Sequence, residues 1–117
     1  MMKILITIFI SLLCFFHSNV SFAISDAVDA KVVSVRVDRD GKGIVIFDRD
    51  LKGTRPNCVS GGYSRHLSFN SSQDGGKSIM SLALTAQVSG KKIRARGTGS
   101  CHDYGPVESW LWGWTVN

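Results

Sequence analysis

The segment from Lys77 to Cys101 constrains the fold of this chain more than any other. Its sequence, KSIMSLALTAQVSGKKIRARGTGSC, contains in order an apolar helix pattern, a helix stop, an alternating basic strand and a cysteine. The helix is predicted to end at Ser89-Gly90, because glycine readily takes the left-handed conformation that follows many helices. It is the only helix pattern after the N-terminal segment, which excludes a parallel α/β fold with its repeated helices.

Residues 1–23 have the layout of a secretory signal peptide. One early lysine precedes an apolar stretch at 4–16, and a small residue, Ala23, ends the segment. The apolar stretch is too short to span a bilayer comfortably, so we expect no membrane span. Cleavage after Ala23 leaves residues 24–117, enough for one small domain. We therefore expect a bacterial protein that is secreted or periplasmic.

Only Cys58 and Cys101 remain once the leader is removed. Both thiols then enter an oxidising compartment, and neither belongs to a Cys-x-x-Cys pair, so we expect one structural disulfide between them. The two cysteines are 43 positions apart in the sequence. On the chain-entropy account, closing a loop of that length stabilises a folded domain by about 4 kcal/mol. A cysteine nucleophile working with His66 or His102 would need a free thiolate, which secretion disfavours.

Strand patterns and turn signals alternate through residues 24–117. Alternating apolar residues or short apolar runs predict five strands, at 30–37, 43–48, 65–70, 91–96 and 107–116. The helix lies between the third and the fourth strand. This order is that of the five-stranded, partly open oligonucleotide and oligosaccharide-binding barrel, the OB-fold. We therefore expect a mainly β, OB-fold-like barrel with one helix, with a small α+β domain as the alternative.

The predicted helix is apolar on more than one side. Its buried stripe should consist of the residues at helical spacing, Ile79, Leu82, Ala83 and Ala86. Met80, Leu84 and Val88 make the opposite side apolar as well. Either association with another subunit or covering by long side chains and loops would explain this pattern.

The last predicted strand, VESWLWGWTV, is the strongest candidate for a binding surface. Strict alternation places Trp110, Trp112 and Trp114 on one face. Indole rings provide stacking platforms for sugars and for bases. A small barrel also needs aromatic bulk in its core, so two interpretations remain open: core or interface residues, or ligand contacts.

Basic residues on the neighbouring strand pattern complete the candidate site. The chain has 14 Lys and Arg against 9 Asp and Glu, and loss of Lys3 with the leader leaves 13 against 9. Arg94 and Arg96 share one face of their strand, while Ile93 and Ala95 occupy the other. This arrangement suits an acidic partner such as a sialylated glycan, lipopolysaccharide or a nucleic acid, and it is also typical of a solvated strand face.

Catalytic chemistry has little support in the sequence. We find no metal-ligand cluster, phosphate loop or paired carboxylates, and His102-Asp103 lacks a nucleophile. The similar segments DRDGKG and DRDLKG, at 38–43 and 48–53, lack the further ligands of a calcium loop and are better explained as two turns. We expect no enzyme activity, no catalytic residues, no metal and no cofactor.

The helix-to-strand junction LALTAQVSGKKIRARG resembles the junction in the B subunits of pertussis-like and subtilase-cytotoxin-like bacterial toxins. The leader and the lone disulfide agree with that resemblance. It implies a ring of five barrels whose helices line a central pore, an outer surface that binds cell-surface glycans, and a separate enzymatic subunit. This chain is shorter and has only two cysteines after the leader, and none of the family's glycan-binding residues can be assigned to it.

Two functions follow as expectations. The first is a secreted glycan-binding module, which accounts for the tryptophans, the basic surface, the apolar helix and the leader. The alternative is a secreted or periplasmic protein-binding module, such as an inhibitor, without catalytic activity. Nucleic-acid binding fits a barrel and a basic surface, but export places it third.

Overall fold

A computed structural model describes residues 23–117, so that the predicted leader lies outside the described residues apart from Ala23. The described part is mainly β with one helix, as predicted. The strands are β1 (Ser25–Ala30), β2 (Val32–Val37), β3 (Lys42–Phe47), β4 (Lys52–Gly53), β5 (His66–Asn70), β6 (Lys92–Gly97) and β7 (Trp110–Val116), and the helix is α1 (Asp74–Ser89).

These strands form two antiparallel sheets. The first has the strand order β4-β1-β6-β7, and the second has the order β2-β3-β5. Neither sheet closes on itself, so residues 23–117 form no closed barrel. Only Lys31 separates β1 from β2, so one bent length of chain contributes to both sheets. A parallel bridge between Ser68 and Ser109 links β5 to the residue that precedes β7.

The bend between β1 and β2 is held by Asp48. The backbone N–H of Lys31 donates to Oδ1 of Asp48 over 2.9 Å, and the backbone N–H of Asp48 donates to the carbonyl of Lys31 over 2.9 Å. The side chain of Arg49 donates to the same carboxylate. These hydrogen bonds, first that of Arg49 and then that of Lys31, lower the pKa of Asp48 to about 2.

Two strands were not predicted, β1 and β4. The inward positions of β1 include Ala27 and Ala30, both fully buried, and each follows an aspartate, Asp26 or Asp29, so this strand carries little hydrophobic alternation. β4 has only two residues. The last strand begins at Trp110 rather than at residue 107, because residues 104–107 close a tight turn in which Val107 N–H donates to the carbonyl of Tyr104.

One helix covers the core, lying against β2, β5 and β7. Ala83 and Ala86 are buried, and Ile79 and Leu82 are partly buried against the same cluster, as the predicted stripe requires. The helix ends at Gly90, which has a φ of 69° and donates its N–H to the carbonyl of Ala86, so the predicted stop is confirmed.

The apolar residues on the opposite side of α1 differ in their exposure to solvent. Met80 is partly buried against the core, whereas Leu84 is exposed and Val88 is 88% exposed. An apolar patch on this helix therefore faces outward. No helix within residues 23–117 is long and apolar enough to cross a membrane.

The predicted disulfide between Cys58 and Cys101 is present, with the two Cα atoms 6.1 Å apart. It joins the loop that follows β4 to the loop that follows β6. The second of these loops leads directly into β7, so the disulfide anchors the segment that precedes the tryptophan strand.

Two polar residues of β5, Ser68 and His66, are withdrawn from solvent. Ser68 is fully buried and donates its hydroxyl to the carbonyls of Val107 and Glu108, because the chain before β7 covers it. His66 is partly buried with its ring against that of Tyr63. Burial lowers the pKa of His66.

Candidate ligand-binding site

β6 and β7 bring four of the five predicted ligand-binding residues onto one surface. In this antiparallel pair, Arg94 lies opposite Trp114 and Arg96 lies opposite Trp112. All four side chains are exposed, while the alternate residues of β6 are buried. Residues directly opposite on neighbouring strands share a face of the sheet. We call this surface, formed by Arg94, Arg96, Trp112 and Trp114, the Trp-Arg face.

The two indole rings of the Trp-Arg face stack on each other. Their centroids are 5.1 Å apart and their planes differ by 13°. Trp112 is 36% exposed and Trp114 is 50% exposed. Stacked rings cover each other's inner faces, so the ring edges and the outward faces of the pair remain open to a ligand. The two side chains also restrain each other's rotation, which lowers the entropy that a ligand must remove on binding.

Trp110 does not belong to this surface, and the prediction that all three tryptophans share a face is wrong. Trp110 is 3% exposed and its ring centroid lies 5.8 Å from that of Phe47 in the core. One step on β6, from Arg96 to Gly97, matches two steps on β7, from Trp112 to Trp110. Leu111 is therefore an extra residue, a bulge, and it turns Trp110 inward.

Gly113 allows Trp110 to pack directly beneath the Trp-Arg face. A Cβ atom at Gly113 would lie 2.7 Å from Cζ2 of Trp110 and 2.8 Å from the carbonyl oxygen of Arg94. Both contacts are closer than carbon atoms tolerate, so a side chain at this position would displace the core tryptophan or the strand pairing.

The cations of this surface are lightly neutralised. Arg94 makes no ion pair within the described residues, and Nε of Arg96 lies 3.9 Å from Oδ1 of Asp26 on β1, a long contact. Lys92, exposed and opposite Val116, extends the same row by one position. Because exposed ion pairs of this length contribute little, the row retains its positive charge for an external partner.

Apart from the Trp-Arg face, a concavity with a volume of about 280 Å³ lies between the β2–β3 turn and residues 102–105. Sequence reasoning did not find it, because its side chains come from two distant segments. Asp38 accepts hydrogen bonds from Arg36 and, over 2.7 Å, from the hydroxyl of Tyr104. The first of these lowers the pKa of Asp38, and the second raises the pKa of Tyr104. Asp38 therefore acts mainly as a link between two loops.

One side-chain pair near this concavity has the composition of a catalytic dyad. Nε2 of His102 lies 2.5 Å from Oγ of Ser100, which is also within hydrogen-bonding distance of Oγ1 of Thr98. Among residues 23–117, the ring of His102 is hydrogen-bonded to Ser100 and to no carboxylate. The pair lacks the third group that would orient the histidine as a base.

The described part of the chain contains no group of three or more His, Cys, Asp or Glu side chains that could hold a metal ion. The geometry thus leaves the Trp-Arg face as the surface on which the predicted side chains converge. The chain matches no family model, no curated protein and no solved structure.

Proposed function

We propose that this chain is a secreted glycan-binding module and that the Trp-Arg face is its binding surface. The observation that carries the proposal is the pair of exposed, mutually stacked indoles of Trp112 and Trp114. Large aromatic side chains are costly to leave in water, and the apolar face of a sugar ring is a natural partner for an indole face. The module binds without catalysis.

Arg94 and Arg96 support an acidic glycan in particular. Each lies directly opposite one of the indoles, so a ring stacked on an indole would place its substituents near a guanidinium group. The planar guanidinium fork binds carboxylates with two parallel hydrogen bonds. A sugar with an acidic substituent would therefore gain from both side chains at once.

We further propose that the two sheets form an OB-like, partly open barrel. Three features support it: the three-stranded β2-β3-β5 sheet formed before the helix, the bent β1–β2 segment that serves both sheets, and the Ser68–Ser109 bridge between them. The resemblance to toxin B subunits extends this proposal to a ring of five subunits and an enzymatic partner subunit. The outward Leu84 and Val88 of α1 support such an assembly.

The glycan-binding proposal predicts that Trp112→Ala and Trp114→Ala each weaken glycan binding by about tenfold, the loss expected for one stacked ring. Binding is measured on a panel of neutral and acidic oligosaccharides, followed by titration calorimetry with the best ligand. Leu111→Ala, an exposed apolar residue on the same strand but outside the Trp-Arg face, is the matched control and should bind normally. Absence of binding across the panel, or equal binding by all three variants, would show that the proposal is wrong.

A protein-binding or inhibitor module is the second candidate, because the exposed helix patch favours a protein contact. A mass measurement in solution distinguishes the five-subunit ring of the first proposal from an inhibitor. A ring gives about five times the mass of one chain, whereas an inhibitor is expected as a monomer or dimer.

A further inference from the structure

Resting on the glycan-binding function above, we propose that the Trp-Arg face binds a linear polyanionic glycan that lies along β6 and β7. Its acidic groups contact Lys92, Arg94 and Arg96 in turn, while its sugar rings lie against Trp112 and Trp114. The ligand is thus a repeating acidic chain rather than one terminal acidic sugar.

The basic side chains form a straight row with a regular spacing. The cations occupy alternate positions of β6 and are all exposed: Lys92, Arg94 and Arg96. The other positions of the strand, Ile93, Ala95 and Gly97, are buried. A strand rises about 3.3 Å per residue, so neighbouring cations in the row start about 6.6 Å apart and the row is about 13 Å long. A row of this kind matches a ligand that repeats its charge along its length.

The indoles form a second row beside the first. Trp114 and Trp112 lie opposite Arg94 and Arg96, on a strand about 5 Å away. Each of these two rungs of the ladder therefore presents one cation and one indole. A chain of linked sugars presents the same combination at each repeat, a ring with an apolar face and an acidic substituent.

The surface is open rather than enclosed. Trp112 and Trp114 are exposed by 36% and 50%, and the side chain of Arg96 is 44% exposed. Recognition of one small sugar requires a concave site that surrounds most of the ligand. An open row gains affinity instead from several contacts made by one long ligand.

Electrostatics favour an anion at this row. Within residues 23–117, the nearest carboxylate to it is the Asp26 group, 3.9 Å from Arg96, and Arg94 has no ion pair. The disulfide between Cys58 and Cys101 is typical of an oxidising compartment. Such compartments lie outside the cytosol and the nucleus, which hold the cell's nucleic acids. We therefore favour a glycan over a single-stranded nucleic acid, which would also suit cations and indoles.

The test titrates the purified chain with sulfated disaccharides, tetrasaccharides and hexasaccharides, and with neutral oligosaccharides of the same lengths. We expect affinity to increase with length for the sulfated series only, and to fall steeply as salt is added. Arg94→Gln should weaken hexasaccharide binding by about tenfold, the loss of one charged hydrogen-bonded contact. Arg39→Gln removes the same charge from an exposed position on the β2–β3 turn and should leave affinity nearly unchanged.

The outcomes separate this inference from the function on which it rests. Equal binding of neutral and sulfated oligosaccharides, with Trp114→Ala harmful and Arg94→Gln harmless, would overturn the polyanionic ligand and keep the glycan-binding function. Length-independent binding of a single acidic sugar would also overturn it. If a single-stranded oligonucleotide binds more tightly than a sulfated oligosaccharide of equal charge, the glycan ligand is overturned in favour of a nucleic acid. Absence of any glycan binding would overturn both proposals.

Discussion

At the scale of single residues, Glu108 is the side chain with the least expected environment. It is 1% exposed, and its Oε2 accepts the backbone N–H groups of Ser25 and Gly99 over 3.2 and 3.1 Å. It therefore ties the start of β1 to the loop that follows β6. Gly97 makes room for it, because a Cβ atom there would overlap the carboxylate. Its other oxygen, Oε1, is buried without a hydrogen-bond partner among residues 23–117, so these two N–H groups are the donors that offset the lost hydration of the side chain.

Glu108→Ala is predicted to lower the free energy of unfolding by about 3 kcal/mol, since two backbone N–H groups lose their acceptor in a buried site. Urea unfolding monitored by tryptophan fluorescence measures this loss. Glu108→Gln keeps one acceptor oxygen and should lose less. Asp74→Asn, a fully exposed carboxylate on α1, serves as the control. A Glu108→Ala protein as stable as the original would mean that the two N–H groups find other partners.

Single residues also set the limit of sequence prediction at the candidate site. Alternation correctly placed Arg94 and Arg96 on an exposed face, because β6 is regular. The same rule failed at Trp110, since the bulge at Leu111 is a property of the pairing between two strands and leaves no mark in the hydrophobic pattern. The burial of Ser68 could not be read from local alternation either, because it depends on a segment about forty residues later in the chain.

At the scale of elements, the bend that joins β1 to β2 sets the relation between the two sheets. Asp48 holds this bend through Lys31 and is itself bound by Arg49. Because those hydrogen bonds favour the charged carboxylate, the pKa of Asp48 falls from 3.8 in a free chain to about 2 in the fold. The contribution of the Asp48 carboxylate to folding stability is therefore complete above pH 3.8 and is lost as pH falls through 2.

Asp48→Asn removes this pH-dependent contribution. We expect the original protein to be more stable than the variant at pH 6, and the difference between them to shrink as pH falls from about 4 to about 2. Denaturant unfolding of both proteins at a series of pH values measures the difference, in which the effects of the other carboxylates cancel. A difference that stays constant over that range would contradict the assignment.

Elements differed in how well the sequence predicted them. The helix stop at Gly90 and the strands β2, β3, β5 and β6 follow from local patterns, a glycine after an apolar stripe and short apolar or alternating runs. β1 was missed because its core contacts are made by Ala27 and Ala30, whose small side chains give no strong signal. Which strands pair, and in what register, depends on contacts between distant residues, so the two-sheet arrangement could not be derived from local patterns.

At the scale of the whole molecule, the Cys58–Cys101 disulfide is the main covalent restraint on a small core. It closes a loop over a sequence separation of 43 residues. Cys58→Ser with Cys101→Ser is predicted to lower the free energy of unfolding by about 4 kcal/mol, because the unfolded chain regains the freedom that the bond removes. Denaturant unfolding of the double variant, compared with the oxidised protein, measures the loss. A change below about 1 kcal/mol would show that the unfolded chain is compact without the bond.

The position of β1 has a consequence for the order in which this molecule assembles. Among residues 23–117, β1 is the first strand, yet it lies inside its sheet between β4 and β6. Its partner β6 ends at Gly97, so the first sheet cannot form until the chain has been synthesised as far as that residue. Contacts over such separations make folding slow. A nascent chain of this design is therefore expected to keep β1 without its partner β6 until about seventy further residues have been synthesised.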